Sequence, residues 1–341
     1  MKRILWALLA LAPATILIDK LAEPDKTLLF VLAAASLIPL AWLIGESTEH
    51  AAEHTGAGVG GFLNASFGNA PELIIALVAI DSNLPEVVRG SLAGSVISNL
   101  LLVFGISQIV ATDGCALDRR SLFLQIGLCG VAILIALPVI VLGWTGASHH
   151  AGVVGSVPVS LLLLTIYLVV TTRNLRRHRE AERGEAHAGA WSLPVALVTL
   201  AIATAFTAVI SEILVHSLES FAHAIGATDF FIAAIVVAVV GNAAEHGGAV
   251  VIARSGNMKL ASEIAISSSA QVALLVTPVV MLLSLFFTHR LALTFRWEET
   301  AAMAVAVGLT AFMIRDGRSH KWEGGFLVTT FLAIGVWFWL A

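Results

Sequence analysis

The sequence predicts an all-α polytopic membrane protein with about 11 transmembrane helices, a first helix plus two inverted-topology repeats of five. Three observations lead there. Of the 341 residues, 58% are hydrophobic and only 12% are charged, and the mean hydropathy is +0.92, values outside the range of an ordinary soluble domain. The apolar residues fall into eleven runs of about the length a bilayer requires, counted at roughly 20 residues per span. Finally, a polar motif, "GNAPE" at 68–72, returns as "GNAAE" at 241–245. A net charge of -4 shows no sign of a nucleic-acid partner. Cys115 and Cys129 are too few for a disulfide framework and have no metal-motif spacing.

In chain order the runs cover 4–18, 27–45, 56–81, 88–111, 121–143, 153–172, 192–215, 229–253, 260–287, 298–314 and 325–341. The first, "MKRILWALLALAPA", has the basic start and short apolar core of a signal peptide. It is read as a retained span because the orientation count works with it in place. Loops numbered alternately put 14 of the 19 lysines and arginines on the side of Lys2, Arg3 and the arginines of 173–183, and 5 on the other. Positive charge stays inside, so the N-terminus is expected in the cytoplasm and the C-terminus outside. The polar stretch 173–191 then reads as a cytoplasmic linker between a first half at 27–172 and a second at 192–341, with 1–26 as the first helix and its loop. Compact length points to a prokaryotic plasma membrane and leaves room for a homo-oligomer.

The two motifs align at an offset of 173 without a gap. Gly68-Asn69-Ala70 faces Gly241-Asn242-Ala243, Glu72 faces Glu245, and Ala76 faces Ala249. In the next run Ser95 faces Ser268, Ser98 faces Gln271, and Leu101-Leu102-Val103 faces Leu274-Leu275-Val276. Five spans per half is an odd number, so the second half enters the membrane from the opposite side. Inverted repeats of this kind place a substrate site at the midplane between the halves.

An ionised carboxylate at the centre of a span costs roughly 2.5–3.5 kcal/mol even on a lenient scale. A bound cation offsets that cost, and so does protonation. Gly68 and Gly241 let the backbone open, and Pro71 removes an amide donor just before Glu72. Opened backbone turns carbonyls towards a cavity, where irregular structure is tolerated in a membrane. Asn69 and Glu72, like Asn242 and Glu245, share a helix face at i and i+3. Ser95, Ser98, Asn99, Ser268, Ser269 and Gln271 add hydroxyl or amide oxygens. Hard cations such as calcium take about 6–8 oxygen ligands. Two carboxylates neutralise one divalent ion, and when protonated they neutralise themselves. A site that avoids the empty, doubly ionised state must exchange one cation for about two protons.

"GNAPELIIALVAI", "GSVISNLLLVFG" (94–105), "GNAAEHGGAVVIA" and "SSSAQVALLVTP" (267–278) resemble the paired signature regions of the calcium/proton exchangers, within the wider cation/calcium antiporter superfamily. The likeness covers about 27–341. It implies that Glu72 and Glu245 bind the cation and carry the protons, that Asn69, Asn242 and nearby carbonyls support them, and that no cofactor is needed beyond calcium as transported substrate. It also implies proton-access or gating positions at Glu49 and Glu212, and His246 beside Glu245 leans towards protons. Two departures stand out: the linker carries five arginines against Glu180, Glu182 and Glu185, and Ser267 stands where the family has glycine.

Other readings compete. "HAAEH" at 50–54 matches the zinc-ligand pattern of inverzincin proteases, with His50 and His54 on one helix face beside Glu53. No downstream acidic ligand completes it. A sodium-coupled cation/calcium exchanger fits the same fold but calls for more neutral oxygens. A passive channel would need a continuous polar pore, whereas the polar residues here cluster in two facing motifs. The polar segment around 46–55 is expected to be a helix end that meets water.

Overall fold

The computed structural model describes residues 2–22, 24–179 and 191–340. Most of the expected linker, with Glu180, Glu182 and Glu185, lies outside the described residues. The chain is an integral membrane protein built almost wholly of helices. These are α1 (Lys2–Leu8), α2 (Leu11–Leu21), α3 (Lys26–Phe67), α4 (Ala70–Asp81), α5 (Pro85–Val110), α6 (Arg119–Trp144) and α7 (His149–Arg179). After the linker come α8 (Leu193–Ile225), α9 (Asp229–Gly241), α10 (Ala243–Arg254), α11 (Met258–Ser284), α12 (Trp297–Met313) and α13 (Lys321–Leu340). Among the described residues nine helical segments are long and apolar enough to cross a bilayer, or ten if α9 and α10, bent by 60°, form one broken span.

The helix end expected at 46–55 lies further on, at Phe67. Residues 46–55 continue α3 without a break. They contain neither glycine nor proline, and Thr48 returns its hydroxyl to the Ile44 carbonyl at 2.7 Å. Polarity here marks a wet helix face. The expected third span, 56–81, is accordingly the end of α3 followed by the short α4.

Local chemistry sets the boundaries that matter for the site. α4 starts after Asn69 (φ -99, ψ 15), with Pro71 in its first turn, where a missing amide costs nothing. α10 starts the same way after Asn242 (φ -90, ψ 9). Thr228 caps α9 by accepting the Phe231 amide, and Asn257 caps α11 by accepting that of Leu260. α8 ends on Gly226 at φ 71, a left-handed residue favoured by glycine.

Helices α5 and α11 each widen into a π-helical turn, at Ser98–Val103 and Val272–Val276. The two turns fall at the 173-residue offset, and such turns are common at functional sites. The Thr310 hydroxyl of α12 donates to the Leu100 carbonyl within the first at 3.3 Å. α5 meets α9 closely at Gly94, where an added Cβ would stand 2.0 Å from the Ala234 carbonyl oxygen. Small residues at such crossings let backbones approach. α3 and α8 run antiparallel, with Phe30 stacked on Phe221 towards one end and His50 on Trp191 at the other.

Candidate cation site

The two helix breaks meet at the centre of the bundle. Gly68 and Gly241 line one cavity of about 560 Å³ together with Asn242 and Glu245. Glu72 reaches across to the opposite break: a Cβ on Gly241 would stand 3.5 Å from Glu72 Oε1. Glu72 is 6% exposed. Among the described residues neither of its carboxylate oxygens, nor Glu245 Oε2, has a hydrogen-bond partner. Glu245 is close enough to Glu72 to repel it when both are ionised.

Hydrogen bonds tie the motifs of one half to those of the other. Asn69 Nδ2 donates to Gln271 Oε1 at 2.8 Å, and Asn242 Nδ2 donates to Ser95 Oγ at 2.9 Å. Asn99 Nδ2 donates to Ser268 Oγ at 3.0 Å, and the Ser268 hydroxyl lies within hydrogen-bonding reach of Glu245. With the Asn99 amide oriented to donate to Ser268, His246 Nε2 donates to Asn99 Oδ1 at 3.0 Å. Ser269 Oγ donates to the Val96 carbonyl at 3.3 Å. Val96 and Ser269 are themselves 173 residues apart, and a residue touches its own counterpart only beside a two-fold axis.

Most of the predicted residues therefore assemble. Asn69 pairs with Gln271, Asn242 with Ser95, and Asn99 with both Ser268 and His246, each bond crossing between the two halves, with Glu72 and Glu245 beside the Gly241 break. Ser98 is buried beside them, but its hydroxyl donates to the Ser95 carbonyl at 3.3 Å on its own helix. Glu49 lines the cavity on the α3 side. Glu212 does not line it: the residue is exposed on α8, and its carbonyl bonds the His216 ring at 2.8 Å. The offset pairs Glu49 with Ala222 and Glu212 with Pro39, so the two are not repeat counterparts.

The HAAEH stretch does not form a metal centre. His50 Nε2 lies 3.6 Å from Glu46 Oε1, whereas His54 Nε2 bonds the Trp191 carbonyl at 2.6 Å. The imidazoles turn to different partners, and among the described residues no group of three metal-ligating side chains converges. Glu46 itself was not expected. It lines the cavity beside Glu49, and its signal in the sequence is a carboxylate one helical turn before Glu49.

Comparison with known proteins agrees with this architecture. The family described as sodium/calcium exchanger protein matches residues 26–175 and 195–340. The Ca(2+)/H(+) antiporter ChaA of Bacillus subtilis is 35% identical, with the whole of both chains covered. A vacuolar cation/proton exchanger 1a of Oryza sativa is 34% identical over 93% of this chain and 76% of its own. The solved structure of native YfkE superposes with a TM-score of 0.86 at 32% identity over the full length of both chains. With residues 26–175 and 195–340 matched and the Bacillus subtilis relative covered end to end, this chain belongs to the sodium/calcium exchanger protein family.

Proposed function

We propose that this protein is a secondary active antiporter that exchanges calcium, or a closely similar divalent cation, for protons, with Glu72 and Glu245 as alternating cation and proton sites. One observation carries the reading: Glu72 is buried with both carboxylate oxygens unpartnered among the described residues. Such a group left ionised costs several kcal/mol, so it must hold a proton or a cation. Glu245 faces the cavity and supplies the second charge needed to balance a divalent ion. Carbonyls at the Gly68 and Gly241 breaks, the amides of Asn69, Asn242, Asn99 and Gln271, and the hydroxyls of Ser95, Ser98 and Ser268 complete an all-oxygen donor set. Glu49 and His246 stand on the proton path, while Glu212 rests on family resemblance alone. The relatives named as Ca(2+)/H(+) and cation/proton exchangers support the choice of ions. Transport, with no chemical step, makes this a carrier and not an enzyme.

In this reading residues 27–172 and 192–341 are the two inverted halves, joined by 173–191. With the N-terminus in the cytoplasm of a prokaryote, the cavity beside Glu46 and Glu49 opens inward. The test is calcium uptake into proteoliposomes under an acid-inside pH gradient. Uptake driven by protons and lost in Glu72→Gln and Glu245→Gln supports the exchange. Uptake that ignores the pH gradient but follows a sodium gradient overturns the coupling ion and keeps the fold.

A further inference from the structure

The 173-residue offset extends beyond the central motifs into the two long helices. Glu46-Ser47-Thr48-Glu49-His50 of α3 aligns with Glu219-Ser220-Phe221-Ala222-His223 of α8, E-S-x-x-H upon E-S-x-x-H. Each segment closes an i,i+4 pair: His50 Nε2 lies 3.6 Å from Glu46 Oε1, and His223 Nε2 lies 4.0 Å from Glu219 Oε1. Because α3 and α8 run antiparallel, the two pairs stand towards opposite ends of the bundle.

Their surroundings differ in a patterned way. On the α3 side Ala41, Trp42 and Gly45 line the open cavity together with Glu46. Their counterparts on α8 are Leu214, Val215 and Leu218, all between 0% and 1% exposed. The Glu46 side chain is 14% exposed and sits within the open mouth, whereas Glu219 is 71% exposed and stands outside the sealed one. Glu46 is accompanied by Glu49 and His50 on its own helix and shares the cavity with Glu245. Glu219 has His223 on its own helix and Asp229 within electrostatic reach. No lysine or arginine among the described residues lines the cavity. A cleft walled by one sign of charge concentrates counter-ions, and Glu245 lines that cavity, its Oε2 buried and without a hydrogen-bond partner among the described residues.

We propose that Glu46 and Glu219 are repeat-related mouth residues, each the carboxylate that a divalent cation meets on its access path from one face of the membrane. This rests on Glu72 and Glu245 being the half-sites. It assigns the mouths to a pair that obeys the repeat, in place of Glu49 and Glu212, which do not.

The experiment measures initial calcium uptake against calcium concentration in right-side-out and in everted membrane vesicles. Glu46→Gln and Glu219→Gln are compared with Glu46→Asp, Glu219→Asp and wild type. The expected result is a rise of roughly two- to fivefold in apparent KM, the loss for one partly solvated ion contact. It appears in one vesicle orientation for Glu46→Gln and in the opposite orientation for Glu219→Gln, and each aspartate variant returns towards wild type. A rise in both orientations for either variant, in the same orientation for both, or in neither overturns the assignment. Glu72→Gln and Glu245→Gln run in parallel: transport surviving in those overturns the underlying site, a failure distinct from the absence of sidedness.

Discussion

Gly94→Ala tests whether close approach of α5 and α9 holds the site together. The added methyl would stand 2.0 Å from the Ala234 carbonyl oxygen, 2.6 Å from its carbon and 2.7 Å from Cα. These are backbone atoms and cannot rotate away. Restoring ordinary contact at 3.4 Å requires the helices to part by about 1.4 Å. The neighbouring bond from Asn242 Nδ2 to Ser95 Oγ, now 2.9 Å, would stretch beyond hydrogen-bonding range. Overpacking costs typically 1–3 kcal/mol, and backbone obstruction puts this case near the top, partly offset by up to about 1 kcal/mol of gained helix propensity. The net loss is expected at about 1–2 kcal/mol. Gly90→Ala, with contacts no closer than 3.0 Å, should fall between this and Gly127→Ala, which meets nothing within 4 Å. Thermal unfolding in detergent, followed by tryptophan fluorescence, ranks the three, and calcium transport by the same preparations reads the site. A Gly94→Ala protein as stable and active as Gly127→Ala would refute the link between this crossing and the site.

Further outcomes follow from other contacts. Glu299 is 0% exposed and is held by Arg89 at 3.5 Å and by the Arg296 amide at 3.0 Å; Arg89→Ala should cost about 3 kcal/mol by leaving a buried charge with one partner fewer, and adding Glu299→Gln should recover much of it in the same unfolding assay. If the proposed site releases two protons per calcium, the Kd measured by titration calorimetry falls about 100-fold per pH unit while the empty carboxylates are both protonated, against tenfold for one proton. In a background without Cys115 and Cys129, Gly248→Cys, on the cavity wall, should react with a membrane-impermeant thiol reagent from the open face, whereas its offset counterpart Ile75→Cys, at 1% exposure, should not. Equal labelling of the two would contradict the one-sided access.

The centre of the site was legible because polar residues in apolar runs are costly and because the cost was duplicated. Asn69, Glu72, Asn242 and Glu245 stood out on that ground, and the structure brings them together. What failed rested on patterns that do not encode direction. HAAEH has ligand spacing, but His54 bonds the Trp191 carbonyl while His50 faces Glu46 and stacks on the Trp191 ring, and among the described residues no third ligand joins them. The stretch 46–55 has the polarity of a loop, yet nothing in it breaks a helix. The π-helical turns leave no mark on composition, since "SNLLLV" and "VALLV" read as ordinary helix. The Arg89–Glu299 pair was invisible because its members lie 210 residues apart and neither recurs at the 173-residue offset, where Ser262 and Ile126 stand.

The two proposed half-sites, Glu72 and Glu245, are chemically matched but not equivalently placed, and this difference bears on coupling. Glu245 lines the open cavity, so an ion entering there meets it first. Glu72 is 6% exposed, with Ile75 one turn further along α4 at 1%, and it lacks partners on both oxygens among the described residues. If leaving Glu72 ionised and empty costs about 3–5 kcal/mol, that state is rarer than the occupied one by a factor of roughly 150 to 4,000. Under the proposed exchange, halves that move only with Glu72 neutralised would then slip at most about once in 150 cycles. Tight coupling needs no separate latch; it follows from keeping one carboxylate dry. Ile75→Ser, which admits water to Glu72, should therefore leave calcium binding in place and raise the proton leak in vesicles without calcium. If that variant loses transport altogether and shows no leak, dryness at Glu72 is not what couples the two ions.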